Sequence, residues 1–169
     1  DGSVINTAGW ANGKSEELTD VDSVAASWAA GSFAKAYSVL KDVPGYRHDA
    51  DAYLALAKKS WEWLQAHPQP VTQVTASKPV DPTYDAQCRV FAAVELYDAT
   101  GDAQYNQYFL KPFKASGDNV LAAWGGAGQG DAKDKAMGYL NFALQFAYLD
   151  YVESKQPTAD KKVQHVLKE

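Results

Sequence analysis

Twenty-eight alanines, set at helical spacing between proline and glycine breaks, restrict this chain more than any other feature of its sequence. Alanine is both the best helix former and the smallest side chain with a Cβ, so such stretches form helices that pack closely. No stretch alternates with period two, and the chain reads as all-α. Its 169 residues make one helical domain spanning 1–169. Composition supplies the core, since 46% of the residues are hydrophobic, with 5 Trp, 10 Tyr and 6 Phe. A chain of this length buries roughly 70% of its unfolded surface. The single cysteine, Cys88, forms no internal disulfide, so packing alone must hold the fold.

The breaks divide the pattern into helices. Val21, Val24, Trp28, Phe33, Ala36, Tyr37 and Leu40 follow a Thr19/Asp20 cap signal and stop at Pro44-Gly45, which predicts a helix over 21–42. Tyr53, Ala57, Trp61 and Leu64 share a face that ends at His67-Pro68 and predict a helix over 49–66. Prolines in 68–81 predict an extended connection. Asp81-Pro82 supplies a cap and a first-turn proline, and Tyr84, Cys88, Phe91, Ala92 and Leu96 carry a helix over 82–99. Tyr105, Tyr108 and Phe109 predict a shorter helix over 102–111, cut by Pro112. The run from Trp124 to Gly130 reads as a loop. From 131 to 154 the pattern is apolar almost all round, as expected of a helix buried in the middle of a structure. A last helix, 158–168, takes Thr158 as its cap. In pairs these make consecutive antiparallel helical hairpins, three in number.

Charge and motif narrow the chemistry. Lys and Arg total 16 against 21 Asp and Glu, a net charge of -5. With no basic run, a nucleic-acid or anionic-lipid surface is set aside. No signal-peptide pattern or membrane span opens the chain, which is expected to begin after processing or inside a larger protein. His48, His67 and His165 stand far apart in sequence and make no zinc spacing with Cys88, so neither a metal nor a cofactor is expected. The Gly125 to Gly130 run lacks the strand and the Gly-Lys-Ser/Thr ending of a phosphate loop. Asp20/Asp22, Asp49/Asp51, Asp81/Asp85 and Asp98/Asp102 stand at helix starts and turns, where aspartate caps or is solvated. Asp150 and Glu153 lie in an apolar stretch and call for a partner, best read as an ion pair. Trp28 and Trp61 fall on core stripes. Trp124, beside the Gly-rich run, and Trp10, in a polar Gly/Asn setting, are candidates to stack on the C–H face of a sugar ring.

Two passages resemble a known family. Asp81 to Tyr105 places an aromatic at Phe91, two alanines after it, then Leu96-Tyr97 and Ala99-Thr100-Gly101-Asp102. This is similar to a segment of glycoside hydrolase family 9 catalytic domains, and the Thr100-Gly101-Asp102 turn is its most specific part. Ser23 to Leu40, followed by Tyr53 to Pro68 with Trp61 and Trp63, resembles two successive helices of the same family, and Asp1 to Val4 resembles the segment before them. The resemblance implies a central portion of an (α/α)6 toroid built of six hairpins. It also implies inverting hydrolysis of β-linked polysaccharide or oligosaccharide, cellulose-like or glucosaminide, and a secreted or periplasmic location. It makes Phe91 a substrate-binding position beside Trp124 and Trp10. The family's catalytic carboxylates lie outside the matched passages, so no catalytic residue is assigned and the chain alone is expected to be inactive. Two departures stand out: Gln87-Cys88 where many members carry Asp-Glu, and Phe91 where Trp is common. The alternative is a non-catalytic helical-hairpin module that binds a protein or glycan as a closed bundle. A partial toroid predicts instead an exposed apolar patch on 131–154 that drives self-association or accepts a complementary chain segment.

Overall fold

The computed structural model describes residues 21–72, 79–116 and 142–168. Among these residues lie six helices and no strand: α1 Ser23–Leu40, α2 Arg47–Ala66, α3 Pro82–Thr100, α4 Ala103–Ser116, α5 Phe142–Glu153 and α6 Lys161–Val166. Each odd-numbered helix packs on its successor to make a hairpin, and α1 and α5 also pack on α3. The first helices of the hairpins therefore form an inner row, with α3 at its centre.

Small residues set how closely the row packs. Asp22, not Thr19 or Asp20, caps α1, its carboxylate accepting from the Ala25 amide at 2.6 Å, so the helix starts two residues later than expected. Along α1, Ala26, Ala30 and Ala34 are buried at four-residue intervals, with Ser27 and Gly31 between them and Ser23 one turn before. The resulting groove admits Phe91 of α3. A Cβ on Gly31 would lie 2.3 Å from Phe91 Cε1. Gly31→Ala is therefore expected to lower stability by about 1–3 kcal/mol through overpacking, against a helix-propensity gain of roughly 1 kcal/mol. Urea denaturation checks the sign, and a stabilised variant would show that Phe91 has room to move.

The helix enclosed on every side is α3, from Asp85 almost without break to Ala99. The sequence placed that role on 131–154. Residues 131–141 of that stretch lie outside the described residues, and within α5 Phe142, Phe146 and Leu149 are 72%, 47% and 64% exposed. The reason is position: among the described residues α5 packs chiefly on α3 and more lightly on α6, so one apolar stripe at i, i+4 and i+7 has no described helix against it.

Two further boundaries differ from expectation. Helix α4 continues through Pro112 to Ser116, because Phe113 on the next turn is almost fully buried and packs on Phe109 and Tyr148. Packing there outweighs the missing amide. Helix α6 is capped by Asp160, which accepts from the Lys162 and Val163 amides. Thr158 instead shares a hydrogen bond with the Tyr97 hydroxyl, and its carbonyl accepts from Asn106.

The Thr100-Gly101-Asp102 turn has a compact physical explanation. Thr100 Oγ1 donates back to the Leu96 carbonyl, Gly101 takes φ 71° at the end of α3, and the Asp102 carboxylate accepts from the Gln104 amide. A Cβ at Gly101 would also press on the Gln156 side chain, 2.9 Å away. A left-handed position with a neighbour this close selects glycine. No helix among the described residues is long and apolar enough to cross a membrane.

Candidate functional site

The inner row carries two constellations. The first is aromatic. Phe91 lies between Trp28 of α1, with ring centroids 4.9 Å apart, and Phe146 of α5, at 6.5 Å. Tyr84, two turns before Phe91, is 41% exposed, and its hydroxyl is within hydrogen-bonding reach of Trp28 and Cys88. Together Trp28, Tyr84 and Phe146 form a partly open apolar wall backed by Phe91, which is itself 6% exposed. Trp10 and Trp124 lie outside the described residues. Burial pushes the Cys88 thiol up to about 12, which leaves it protonated and unreactive at neutral pH. As expected, it is a core residue.

The second constellation is ionic. Lys35 of α1 donates to Glu95 of α3 at 3.2 Å and to Asp150 of α5 at 2.7 Å. One ammonium thus ties the three inner helices together, and Asp150 has the ion-pair partner its apolar setting demanded. Burial first, then the Asp150 carboxylate, raise Glu95 from 4.5 to about 9 despite Lys35. Burial opposes the charge on Lys35, but its bonds to Asp150 and Glu95 hold its pKa above the ordinary value. Asp98, one turn beyond Glu95, is raised by burial and bonded by the Ser154 hydroxyl.

A raised carboxyl beside a second one suggests an acid and a base, but this pair is built otherwise. An inverting pair stands about 6.5–9.5 Å apart so that a water fits between base and sugar, whereas Glu95 and Asp150 bond the same ammonium. The Glu95 side chain is only 1% exposed and offers no face to a substrate. The remaining aspartates divide. Asp22, Asp81 and Asp102 act at helix starts, as expected. Asp85 and Asp98 do not: Asp85 is a buried partner of Arg89 at 2.6 Å, and Asp98 bonds Ser154.

Sequence reasoning missed Glu95 and Phe146. For Glu95 the signal was a lone carboxylate between Val94 and Leu96 inside an alanine- and valine-rich run. For Phe146 periodicity had no discriminating power, since all faces of its helix are apolar.

A row of helical hairpins, with the first helices of the pairs packed on one another, defines a toroid-type helical architecture. The chain belongs to glycosyl hydrolase family 9, whose family model matches residues 13–168. The fold agrees. It is similar to a metagenome-derived glycoside hydrolase family 9 endoglucanase, with TM-score 0.67 and 22% identity over 99% of this chain. It is also similar to the family 9 endoglucanase J30, with TM-score 0.58 and 19% identity over 89% of this chain. The chain spans only 30% and 25% of the lengths of those structures. None of the curated proteins compared with it matches.

Proposed function

We propose that this chain is part of a glycoside hydrolase that inverts β-linked glycosides, cellulose-like or glucosaminide, and that it supplies scaffold and one wall of the substrate cleft. The family match over nearly the whole chain carries this reading. The aromatic wall of Trp28, Tyr84 and Phe146 supports it, because partly exposed flat apolar rings suit the C–H faces of pyranoses. On this reading Phe91, Trp10 and Trp124 are substrate-binding positions, with Phe91 acting mainly by holding Trp28 and Phe146 in place. The catalytic carboxylates are contributed by segments beyond the matched helices, and the site of action is secreted or periplasmic. The exposed stripe of Phe142, Phe146 and Leu149 supports self-association or docking of a complementary chain segment rather than a closed bundle.

The test is hydrolysis of soluble cellulose derivatives and chito-oligosaccharides by the purified 169-residue chain. No release of reducing ends is expected from the chain alone, with release from a longer parent protein that contains it. Hydrolysis by the pure chain, abolished by one carboxylate substitution within it, would overturn the assignment of the catalytic groups to other segments.

A further inference from the structure

Glu95 lies where three helices meet, with a side chain 1% exposed and an Oε2 atom that no donor among the described residues reaches. Its other oxygen takes the Lys35 ammonium at 3.2 Å, and the same ammonium holds Asp150 at 2.7 Å. The two carboxyls therefore meet at one ammonium, and the Asp150 charge acts directly on Glu95. An acceptor buried without a donor is costly, and two ionised carboxyls this close repel each other. A proton on Glu95 lowers both penalties, because it removes one of the two negative charges and leaves a neutral carboxyl, cheaper to bury than a carboxylate. Lys35 from α1, Asp150 from α5 and, one turn along α3, Asp98 are the charged groups around this point.

We propose that Glu95 keeps its proton in the folded protein at neutral pH and donates it in a hydrogen bond to Asp150, so that Lys35 and one negative charge shared by two carboxyls form a neutral staple across α1, α3 and α5 that loosens in alkali. The balance is simple. With the proton in place, one ammonium faces one net negative charge. When it leaves, a buried Glu95 carboxylate and a partly exposed Asp150 carboxylate share a single ammonium, and α5, which keeps an exposed apolar stripe, is the helix that yields.

The sign of the pH dependence follows from the raised value. The unfolded chain loses this proton near 4.5 and the folded chain near 9. The staple's contribution is therefore complete below about 4.5 and is lost progressively as pH rises to about 9. The unfolding constant of the wild type, divided by that of Glu95→Gln, rises across this window by up to about tenfold per pH unit. Glutamine keeps a neutral donor toward Asp150 and does not titrate. A ratio that stays flat across the window overturns the proposal.

A second measurement does not depend on that variant folding. The chain has 6 glutamates, and carbon-13 labelling of their side-chain carboxyls gives one resonance each. One of them is expected to titrate near 9 in the wild-type chain, and its midpoint falls in Asp150→Asn because the charge that raises it is gone. If no glutamate resonance titrates above about 7, well outside the ordinary range, Glu95 is ionised and the staple does not exist. A high midpoint that Asp150→Asn leaves unmoved also rejects the shared proton, leaving burial alone as its cause.

Discussion

Arg89→Met is expected to lower the free energy of unfolding by about 3–5 kcal/mol, the loss typical of breaking a buried ion pair from one side. Arg89 Nε bonds Asp85 at 2.6 Å. Its two terminal nitrogens donate to the Leu64, His67 and Gln69 carbonyls at 2.8, 2.8 and 3.4 Å. One side chain of α3 therefore closes the C-terminal end of α2 and secures the chain that leaves it. The guanidinium fork explains why arginine stands here. Lysine has one charged centre and cannot face a carboxylate and three carbonyls together, so Arg89→Lys is also expected to destabilise, by less. Methionine fills the stem's volume but leaves Asp85, 3% exposed, with an uncompensated charge beside an Oδ1 that already lacks a donor. The double variant Asp85→Leu with Arg89→Met removes that charge and should recover much of the loss, with only the three carbonyls still short of a donor. Urea denaturation of the two single variants and the double one measures the coupling. If Arg89→Met costs less than about 1 kcal/mol, the pair is solvated like a surface one.

This pair also shows where the sequence stopped being informative. Helix boundaries were legible wherever a breaker or cap set them: Pro82 at the start of α3, Gly101 after its end and Ala66 before His67-Pro68 all stand where local chemistry put them. The hairpin order was legible for the same reason. What could not be read was which helix lies in the middle. Helix α3 carries Asp85, Gln87, Arg89 and Glu95 on buried faces, and polar residues counted along a sequence argue for solvent. They are tolerated inside because Asp85 meets Arg89 four residues on, while Glu95 meets Lys35 from sixty residues away. The first pairing is visible in sequence as an i, i+4 match; the second exists only after folding. Helix α5 misled in the opposite direction, since apolarity all round said buried while Phe142 and Leu149 are mostly exposed, with no described helix packed on their stripe. The aromatic wall was half legible. Phe91 was singled out by resemblance, but its neighbours Trp28 and Phe146 come from other helices, and Trp28 reads in sequence as one more residue of a core stripe.

Phe91→Ala is expected to cost about 3–5 kcal/mol, the usual range for removing a buried phenyl ring. Three inner helices converge on this ring: Gly31 of α1 leaves space for it, Trp28 stacks at a tilt of 47° on one side, and Phe146 stands at 53° on the other. The alanine variant opens a void that Gly31 cannot fill, since glycine has no side chain to move into it. The size of the effect separates two roles for the position. If the ring holds the row together, Phe91→Leu retains most of the stability lost by the alanine variant, and the fluorescence of Trp28 shifts in step with stability. If the ring's main role is to meet a sugar, stability changes little in either variant and oligosaccharide affinity falls in the parent enzyme. With 6% of its surface exposed, Phe91 is expected to follow the first course. Its influence on a substrate would then pass through Trp28 and Phe146, which are partly exposed. Urea denaturation of both variants, alongside calorimetric titration of a longer protein containing the chain with cello-oligosaccharides, distinguishes the outcomes; a loss below about 1 kcal/mol in Phe91→Ala would show that the junction collapses around the void.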